Sequence, residues 1–485
     1  MTTLPLACIL ALGVSAPPPP AYVQIVQLEQ SRSLGNGRLE QFLNSNDRLV
    51  AMRAALAIGR TKQAAGIPLL VRHTRDRDAA MRAMAIYAIG LIGTNAAAAT
   101  VLEGLRDTSG SVIVSALDAT DRLETAGAFD ASQERAAARR VIALLHGRQP
   151  VVRARAGTAL EAFSSSTARL AAIRALSSAY ARERDGFVRW HLMWTLYRSY
   201  AKAAPQNVLA RGLRDPDEIV RIQAVRAFGK RGDASAVQLL RPLLADSSWR
   251  VQEQTRESIT VLQGGKMTEH LTSIAQGVKT PAPQQDKLAY LPALPRTDAT
   301  GKPSAPQASD IITQPKLDPS TIALFTGPAK GPHPRVRIVT TEGNVYLELY
   351  PEWAPLTVAN FLNLTNRGYF DNNRWFRIVP DFVVQTGDPT NTGNGDAGYT
   401  IPAEENPIEQ DSYVISMGLN YTNPPNAHAI RDSAGTQFYI TLSPQLHLDR
   451  DFTVFGKVIG GFDVLGRLIE SDKIVRIERL PDSKL

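Results

Sequence analysis

The sequence predicts two folded domains of different class: an all-α solenoid of repeated helical pairs, then a closed antiparallel β-barrel with two capping helices. A helical pattern recurs about every 30 residues over residues 24–264, which is typical of stacked helical repeats. Short alternating strands, with one helix early and one late, fill residues 335–485. Between them, residues 265–334 hold 11 of the chain's 31 prolines and lose this periodicity, so we expect a linker there.

The composition is that of a soluble globular protein, with 44% hydrophobic and 21% charged residues among 485. The single cysteine, Cys8, excludes a disulfide framework and a cysteine metal site, and the seven histidines form no HxxxH pair. We therefore expect no metal and no cofactor.

Charge is unevenly distributed along the chain. The net charge is +8, but residues from Arg335 onward carry 13 Lys/Arg against 19 Asp/Glu, whereas the preceding residues carry 41 against 27. The basic excess favours an acidic partner, although a solvated, arginine-rich helical surface is the simpler explanation. Because no Lys/Arg cluster is interleaved with aromatic residues, we expect no nucleic-acid partner.

Residues 1–23 have features of a secretory signal. The apolar run Leu4–Gly13 precedes three small residues, Val14-Ser15-Ala16, and then four prolines. We expect export to the periplasm or outer surface rather than a cytoplasmic location, although a basic start is missing and Cys8 leaves a lipid anchor open. No later run approaches the roughly 20 apolar residues of a membrane span.

The repeated unit over residues 24–264 is a turn, a pair of the Val-Arg type, and a helix rich in alanine and leucine. The clearest copies run Asp47–Gly59, Asp78–Gly90 and Asp217–Gly229, and we expect each helix to end at its glycine. A second helix is predicted at Ala64–His73 and at Ala236–Leu244. The pairs are Met52-Arg53, Met81-Arg82, Val112-Ile113, Val152-Arg153, Val188-Arg189, Val220-Arg221 and Val251-Gln252.

These pairs and turns resemble HEAT-type repeats, particularly the short kind of bacterial proteins. The resemblance implies a solenoid with a concave surface for a protein partner; a spacer without a ligand stays open as the alternative. The aromatic residues that recur on one stretch at helical spacing are predicted to be repeat core. They are Trp190, Trp194, Tyr197 and Tyr200.

The C-terminal part alternates apolar and polar residues from Val336 to Leu349 around a turn at Thr341-Glu-Gly-Asn, which predicts a β-hairpin. Pro355 then opens a helix that ends at Gly368. Further strands and a last helix are predicted at Ser412–Met417, Gln437–Leu442, Thr453–Ile459 and Phe462–Ile469.

The stretch Trp375–Asp388 places two polar groups, Arg377 and Gln385, in a largely apolar run. A guanidinium and an amide beside an apolar surface can grip a peptide backbone. Taken alone, the stretch is more simply a core strand with one exposed arginine.

Its neighbours change that interpretation, because several ordered runs resemble the cyclophilin family of peptidyl-prolyl cis-trans isomerases. The resemblance implies a barrel capped by two helices, rotation of X–Pro bonds, proline-containing peptides or unfolded proteins as partners, and no cofactor. The runs are Glu348-Leu-Tyr-Pro-Glu-Trp-Ala-Pro, Val358-Ala-Asn-Phe, Trp375–Asp388, Ser433–Ile440, Leu446-His-Leu-Asp and Phe452–Val458.

The resemblance implies that Arg377 is the catalytic residue. Five positions depart from common family residues, which leaves the rate, the peptide preference and cyclosporin binding open; these are Phe376, Val383, Tyr439, His447 and Phe452. A longer segment between Met417 and Gln437 is expected to border the substrate groove. The implied substrate-binding residues are Phe382, Val383, Gln385, Gln437, Tyr439, Leu448, Phe376, Phe452, His447 and Gly418.

Two other classes of function stay open: a catalytically weak or inactive proline-peptide-binding scaffold, and an assembly scaffold in which both domains only bind proteins. A hydrolase triad of Ser443, His447 and Asp449 is rejected because no nucleophile elbow accompanies it. The run Asp388–Asp396 is rejected as a calcium loop because it lacks alternating acidic ligands.

Overall fold

The computed structural model describes residues 20–265, 333–379, 381–421 and 429–480. It contains two compact units, one formed by the described residues of Arg32–Glu269 and a second formed by the described residues of Met1–Ser31 and His270–Leu485. Most of the predicted linker and the signal-like run, including Cys8, lie outside the described residues.

The first unit is built of helical pairs. Long second helices of successive pairs pack on one another, as the repeat pattern predicts. Its helices are α2 (Arg38–Leu43), α3 (Arg48–Arg60), α4 (Gly66–Val71), α5 (Ala79–Ile92), α6 (Ala98–Gly104), α7 (Gly110–Thr125), α8 (Ala131–Leu144), α9 (Pro150–Ala159), α10 (Ser166–Arg182), α11 (Gly186–Tyr200), α12 (Gln206–Gly212), α13 (Glu218–Arg231), α14 (Ala236–Leu240) and α15 (Trp249–Leu262). Trp190, Trp194 and Tyr200 are buried, which confirms them as repeat core, whereas Tyr197 is only half-buried.

The glycines expected to end helices lie inside them instead. α3 continues to Arg60, and α5 continues past Gly90 to a C-cap at Gly93, where φ is 68°. A Cβ on Gly59 would lie 2.7 Å from Ala88 Cα, and one on Gly90 would lie 2.6 Å from Ala119 Cβ. These glycines therefore permit the close approach of neighbouring helices, and the expectation of helix ends was wrong.

The arginine of the Val-Arg pair links consecutive repeats. Arg189 Nε and Nη2 donate to the two Asp215 carboxylate oxygens at 2.8 and 2.9 Å, while Nη1 donates to the Arg184 carbonyl at 2.7 Å. The pair predicted in the first repeat, Met52-Arg53, lies two residues C-terminal to the equivalent position. Counted from the N-cap Asp47, that position is Val50-Ala51. The equivalent ion pairs elsewhere are Arg82–Asp107, Arg153–Glu183 and Arg221–Asp246.

The second unit is an eight-stranded antiparallel sheet in the order β3-β4-β6-β5-β7-β2-β1-β8. Its edge strands β3 and β8 form no ladder; a single bridge, Arg374–Lys473, and nearby backbone bonds connect them. The sheet therefore curls as a half-barrel. The strands are β1 (Arg335–Thr340), β2 (Gly343–Leu349), β3 (Arg377–Val379), β4 (Val383–Thr386), β5 (Val414–Met417), β6 (Phe438–Thr441), β7 (Val454–Gly460) and β8 (Ile474–Arg479).

Two helices in the C-terminal part of the chain belong to this unit. α16 (Pro355–Asn366) has no side-chain N-cap of its own, but Glu404 accepts hydrogen bonds from Leu356 N at 3.0 Å and Thr357 N at 2.8 Å. α17 covers only Phe462–Leu465 rather than the predicted Phe462–Ile469; its C-cap Gly466 keeps a right-handed backbone with φ of −74°, and the chain continues as a turn rather than a helix.

A helix from the start of the chain completes the core of the same unit. α1 (Pro20–Gln30) contributes Tyr22 and Val26, which are buried in the cluster that also contains Phe361 of α16. The sequence pattern divides these residues between an N-terminal segment and the solenoid; the structure groups them with the sheet.

Candidate active site

The stretch predicted as one strand is a hairpin. β3 and β4 pair so that Arg377 lies directly opposite Gln385, and Asp381 makes the turn with φ of 58°. Arg377 Nη1 donates to Gln385 Oε1 at 3.2 Å. The eight-residue separation in sequence thus becomes a direct cross-strand contact.

A row of amides continues from this pair across the sheet. Gln385 Nε2 donates to Gln437 Oε1 at 3.2 Å, and Gln437 Nε2 donates to the carbonyl oxygens of Gly393 and Gly395, each at 3.0 Å. Gly418 lies beside the row, since a Cβ there would lie 3.3 Å from Gln385 Nε2.

Asp388 holds the glycine loop that carries those two carbonyls. Its buried carboxylate accepts bonds from the backbone nitrogens of Thr390 (2.6 Å), Thr392 (2.9 Å) and Gly393 (2.6 Å), and from the Thr390 hydroxyl at 2.7 Å. From its sequence this loop is rejected as a calcium site, and its role in positioning the amide row is not predicted. The run of Thr and Gly after an Asp was the available signal.

Apolar side chains form a compact cluster beside Arg377. Val383, Tyr439, Leu448 and Phe452 are each at most 8% exposed, and partly buried Phe382 packs against them. The Arg377 guanidinium carbon lies 5.3 Å from the Phe382 ring centroid, a cation–π distance. An exposed cation therefore stands at the edge of an apolar cluster that includes the aromatic side chains Phe382, Tyr439 and Phe452.

His447 and Phe376, both implied as substrate-binding residues, have different neighbours in the structure. The His447 ring stacks on Phe382 with centroids 5.7 Å apart and an 18° angle. Phe376 is not among the residues of the apolar cluster; its ring lies beside Gly393, where a Cβ would be 3.4 Å from Phe376 Cε2. Because successive residues of an extended chain point to opposite sides, Phe376 and Arg377 diverge, and Phe376 supports the glycine loop.

Tyr421 is the site residue that motif comparison missed. It lies in the longer segment between β5 and β6, is 54% exposed, and its ring centroid is 6.4 Å from that of Phe452. Burial raises the pKa of its hydroxyl, and the nearby charge of Arg377 opposes that rise. Only its place in the extra segment hinted at this position, because no family motif contains it.

Tyr439 gives the apolar cluster a buried hydroxyl where the family resemblance leads one to expect a phenyl ring. In the sheet, Tyr439 lies opposite Gln385 of the neighbouring strand β4 and opposite Ser416 of the neighbouring strand β5. Complete burial holds the pKa of the Tyr439 hydroxyl well above its ordinary value, so the phenol stays neutral.

Comparison with known proteins agrees with this geometry. A family model described as cyclophilin type peptidyl-prolyl cis-trans isomerase/CLD matches residues 335–480. Peptidyl-prolyl cis-trans isomerase B of Bacillus subtilis is 43% identical over 142 residues, which are 28% of this chain and 93% of that protein. The chain belongs to the cyclophilin family of peptidyl-prolyl cis-trans isomerases.

Other cyclophilins match the same part of the chain. Peptidyl-prolyl cis-trans isomerase CYP18-2 of Arabidopsis thaliana is 40% identical over 139 residues, or 29% of this chain and 82% of that protein. A crystal structure of a cyclophilin type isomerase of Cryptosporidium parvum is 29% identical, with a TM-score of 0.28 and coverage of 30% of this chain and 98% of that one.

The N-terminal unit of this cyclophilin is matched by a HEAT-repeat model at residues 36–121, 173–260 and 205–276. Within the residues that the structure describes, no group of three or more His, Cys, Asp or Glu is placed to hold a metal ion. Of the helices described, none is long and apolar enough to cross a membrane.

Proposed function

We propose that this protein rotates X–Pro bonds of protein clients, with Arg377 as the electrostatic catalyst and the cluster of Val383, Tyr439, Leu448 and Phe452 as the proline pocket. The observation that carries the proposal is the position of the Arg377 guanidinium, 5.3 Å from the Phe382 ring at the rim of that cluster. A proline ring in the pocket would bring its nitrogen toward the cation.

Amide resonance is what the site must overcome. It creates a barrier of about 18–20 kcal/mol to rotation about the bond preceding proline. At the half-rotated stage the prolyl nitrogen becomes pyramidal and its lone pair can accept a hydrogen bond. A donor that is always charged and rigidly forked favours that stage over either planar isomer.

The other groups hold the substrate while the bond turns. Apolar walls fix the proline ring, and the amide row of Gln385 and Gln437 offers partners for the peptide backbone. No covalent bond forms or breaks, so fixed electrostatics and orientation supply the rate enhancement.

A binding scaffold without turnover is the second candidate, because a binder could use the same pocket. An NMR exchange assay of an X–Pro peptide with the full chain separates the two. We expect exchange to accelerate, and Arg377→Ala to lower kcat/KM about 100-fold, since removing one preorganised donor costs about that much. The control is Arg367→Ala, which removes an exposed arginine at the end of α16.

The outcomes are distinct. An inactive, folded chain that still binds the peptide would favour the scaffold. Full activity of Arg377→Ala would reject the mechanism but leave an isomerase.

Three finer parts of the prediction belong to this proposal. The half-barrel is proposed to act as a closed barrel through the Arg374–Lys473 bridge, which slow amide exchange in β3 and β8 would support. Export is proposed from the signal-like run Leu4–Gly13, which cell fractionation tests, and a bacterial origin is proposed from the resemblance of the repeats to the short kind of bacterial proteins. The HEAT unit is proposed to bind a client or partner protein.

A further inference from the structure

One basic position recurs along an edge of the HEAT unit. It lies three residues before the N-cap of helices α5, α7, α9, α11 and α13, and in all five repeats the side chain is exposed. Since equivalent positions of stacked repeats align, these side chains form a line. The residues of this basic column are Arg75, Arg106, His146, Arg182 and Arg214.

The neighbouring acidic groups are already occupied. Asp107 and Asp215 accept both donors of Arg82 and Arg189, and Asp185 caps the start of α11 through the Phe187 nitrogen at 2.9 Å. The column arginines have no such partners: within the described residues, only Arg75 has a carboxylate in reach, Glu103 at 3.5 Å. The edge therefore presents uncompensated positive charge.

Clefts between repeats open beside the column. One of about 500 Å³ is lined by Arg75 and Arg106, and an equivalent one of about 630 Å³ is lined by Arg211 and Arg214. Arg211 occupies the position that Glu103 has in the first cleft, six residues before the N-cap. Arg211 is held by a bond from Nη1 to the Ala181 carbonyl at 2.8 Å, so the second cleft is a fixed, more basic site.

An apolar row runs along the same edge. Val151, Phe187 and Trp249 are the first or second residues of α9, α11 and α15, and they are 44%, 39% and 59% exposed. Ile219 continues the row at the second position of α13 and is half-buried. Large exposed apolar residues that repeat beside free cations are typical of a protein-binding surface rather than of a merely solvated one.

We propose that this edge binds an acidic, extended segment of a partner protein, with carboxylates on the basic column and apolar side chains on the row. Packed helices lie about 8–10 Å apart. A polyproline II segment advances about 9.3 Å in three residues, so every third side chain meets a new repeat. Charge selects the partner, since the unit Arg32–Glu269 carries 35 Lys/Arg against 22 Asp/Glu.

The chain's own linker does not complement this edge. Residues 270–334 contain six Lys/Arg and four Asp/Glu, so this segment is itself basic. The aliphatic members of the row, Val151 and Ile219, favour a peptide over a single-stranded nucleic acid, whose bases would stack on Phe187 and Trp249 but gain no comparable contact from aliphatic side chains.

Fluorescence anisotropy with the full chain tests the proposal. The probe is a labelled peptide of about 15 residues that repeats Glu-Leu-Ser, long enough to span the column at about 3.1 Å per residue. It contains no proline, so the isomerase pocket is not engaged. We expect the double variant Arg182→Glu/Arg214→Glu to weaken binding at least about tenfold, because each new glutamate repels the peptide carboxylate that the arginine attracts.

Matched controls define the result. Arg139→Glu/Arg174→Glu makes the same charge change at exposed positions in the middle of α8 and α10, and should leave affinity unchanged. Val151→Ser should weaken the peptide but not a single-stranded RNA, whose bases stack on aromatic rather than aliphatic side chains. Equal peptide affinity of the wild type and the column variant would overturn the proposal, as would RNA that binds more tightly than the peptide and is lost in the column variant.

Discussion

Gln385 donates its side-chain amide to Gln437 Oε1 at 3.2 Å, and this contact determines which way both amides point. Gln437 Nε2 donates to the carbonyls of Gly393 and Gly395, which can only accept, so its oxygen must face Gln385. Gln385 then turns its own oxygen to Arg377. The glycine loop thereby orients the guanidinium that we propose as the electrostatic catalyst.

Replacing Gln437 by Glu should break this order, because a carboxylate oxygen would replace the donor that faces the two carbonyls. We expect kcat/KM to fall between about tenfold and a hundredfold through misplacement of Arg377. The NMR exchange assay measures the rate. Gln263→Glu, at an exposed helix end, is the chemical control, and an unchanged rate for Gln437→Glu would contradict the orientation argument.

Tyr421 should tune peptide choice rather than the chemical step. Its ring lies near Phe452 but outside the apolar cluster of four. We expect Tyr421→Ala to change kcat/KM severalfold between peptides that differ only in the residue flanking proline. Competition between two such peptides measures this ratio, and a uniform change in both would show that Tyr421 acts only on the common step.

Gly90→Ala should destabilise the HEAT unit although alanine is the better helix former. The added Cβ would lie 2.6 Å from Ala119 Cβ, and overpacking of this kind costs about 1–3 kcal/mol. Gly127→Ala is the comparison, because at that glycine only the positive φ of 64° opposes a side chain. Urea unfolding followed by helical circular dichroism measures both, and a more stable Gly90→Ala would show that the helices have room to separate.

The stability of the HEAT unit should fall as the pH rises from about 4.5 to 7. Burial and the neighbouring Glu134 carboxylate raise the pKa of Glu124 to about 7 from 4.5. The folded protein thus binds a proton that the unfolded chain releases, which stabilises it only at the lower pH. Thermal unfolding across this range measures the effect, and Glu124→Gln should flatten the curve. An equally steep curve in that variant would assign the dependence to another group.

Patterns among residues that are close in sequence predicted part of the fold. Alternation from Val336 to Leu349 gave the β1–β2 hairpin, and the repeat period gave the stacked helices. The pairing of Arg377 with Gln385 was not visible, because it depends on a turn at Asp381 with a left-handed backbone. The sequence wrongly predicts helix ends at Gly59 and Gly90 because an interior glycine that serves packing has the same local pattern as a cap.

The packing of Tyr22 and Val26 was beyond any local pattern, and it has a consequence for biosynthesis. α1 leaves the ribosome roughly 300 residues before the first strand of the sheet it joins, a delay of roughly 15–60 s at about 5–20 residues per second. During that interval the HEAT unit has time to fold while α1 still lacks its partner. The isomerase fold is therefore completed by a segment made roughly 300 residues before its first strand.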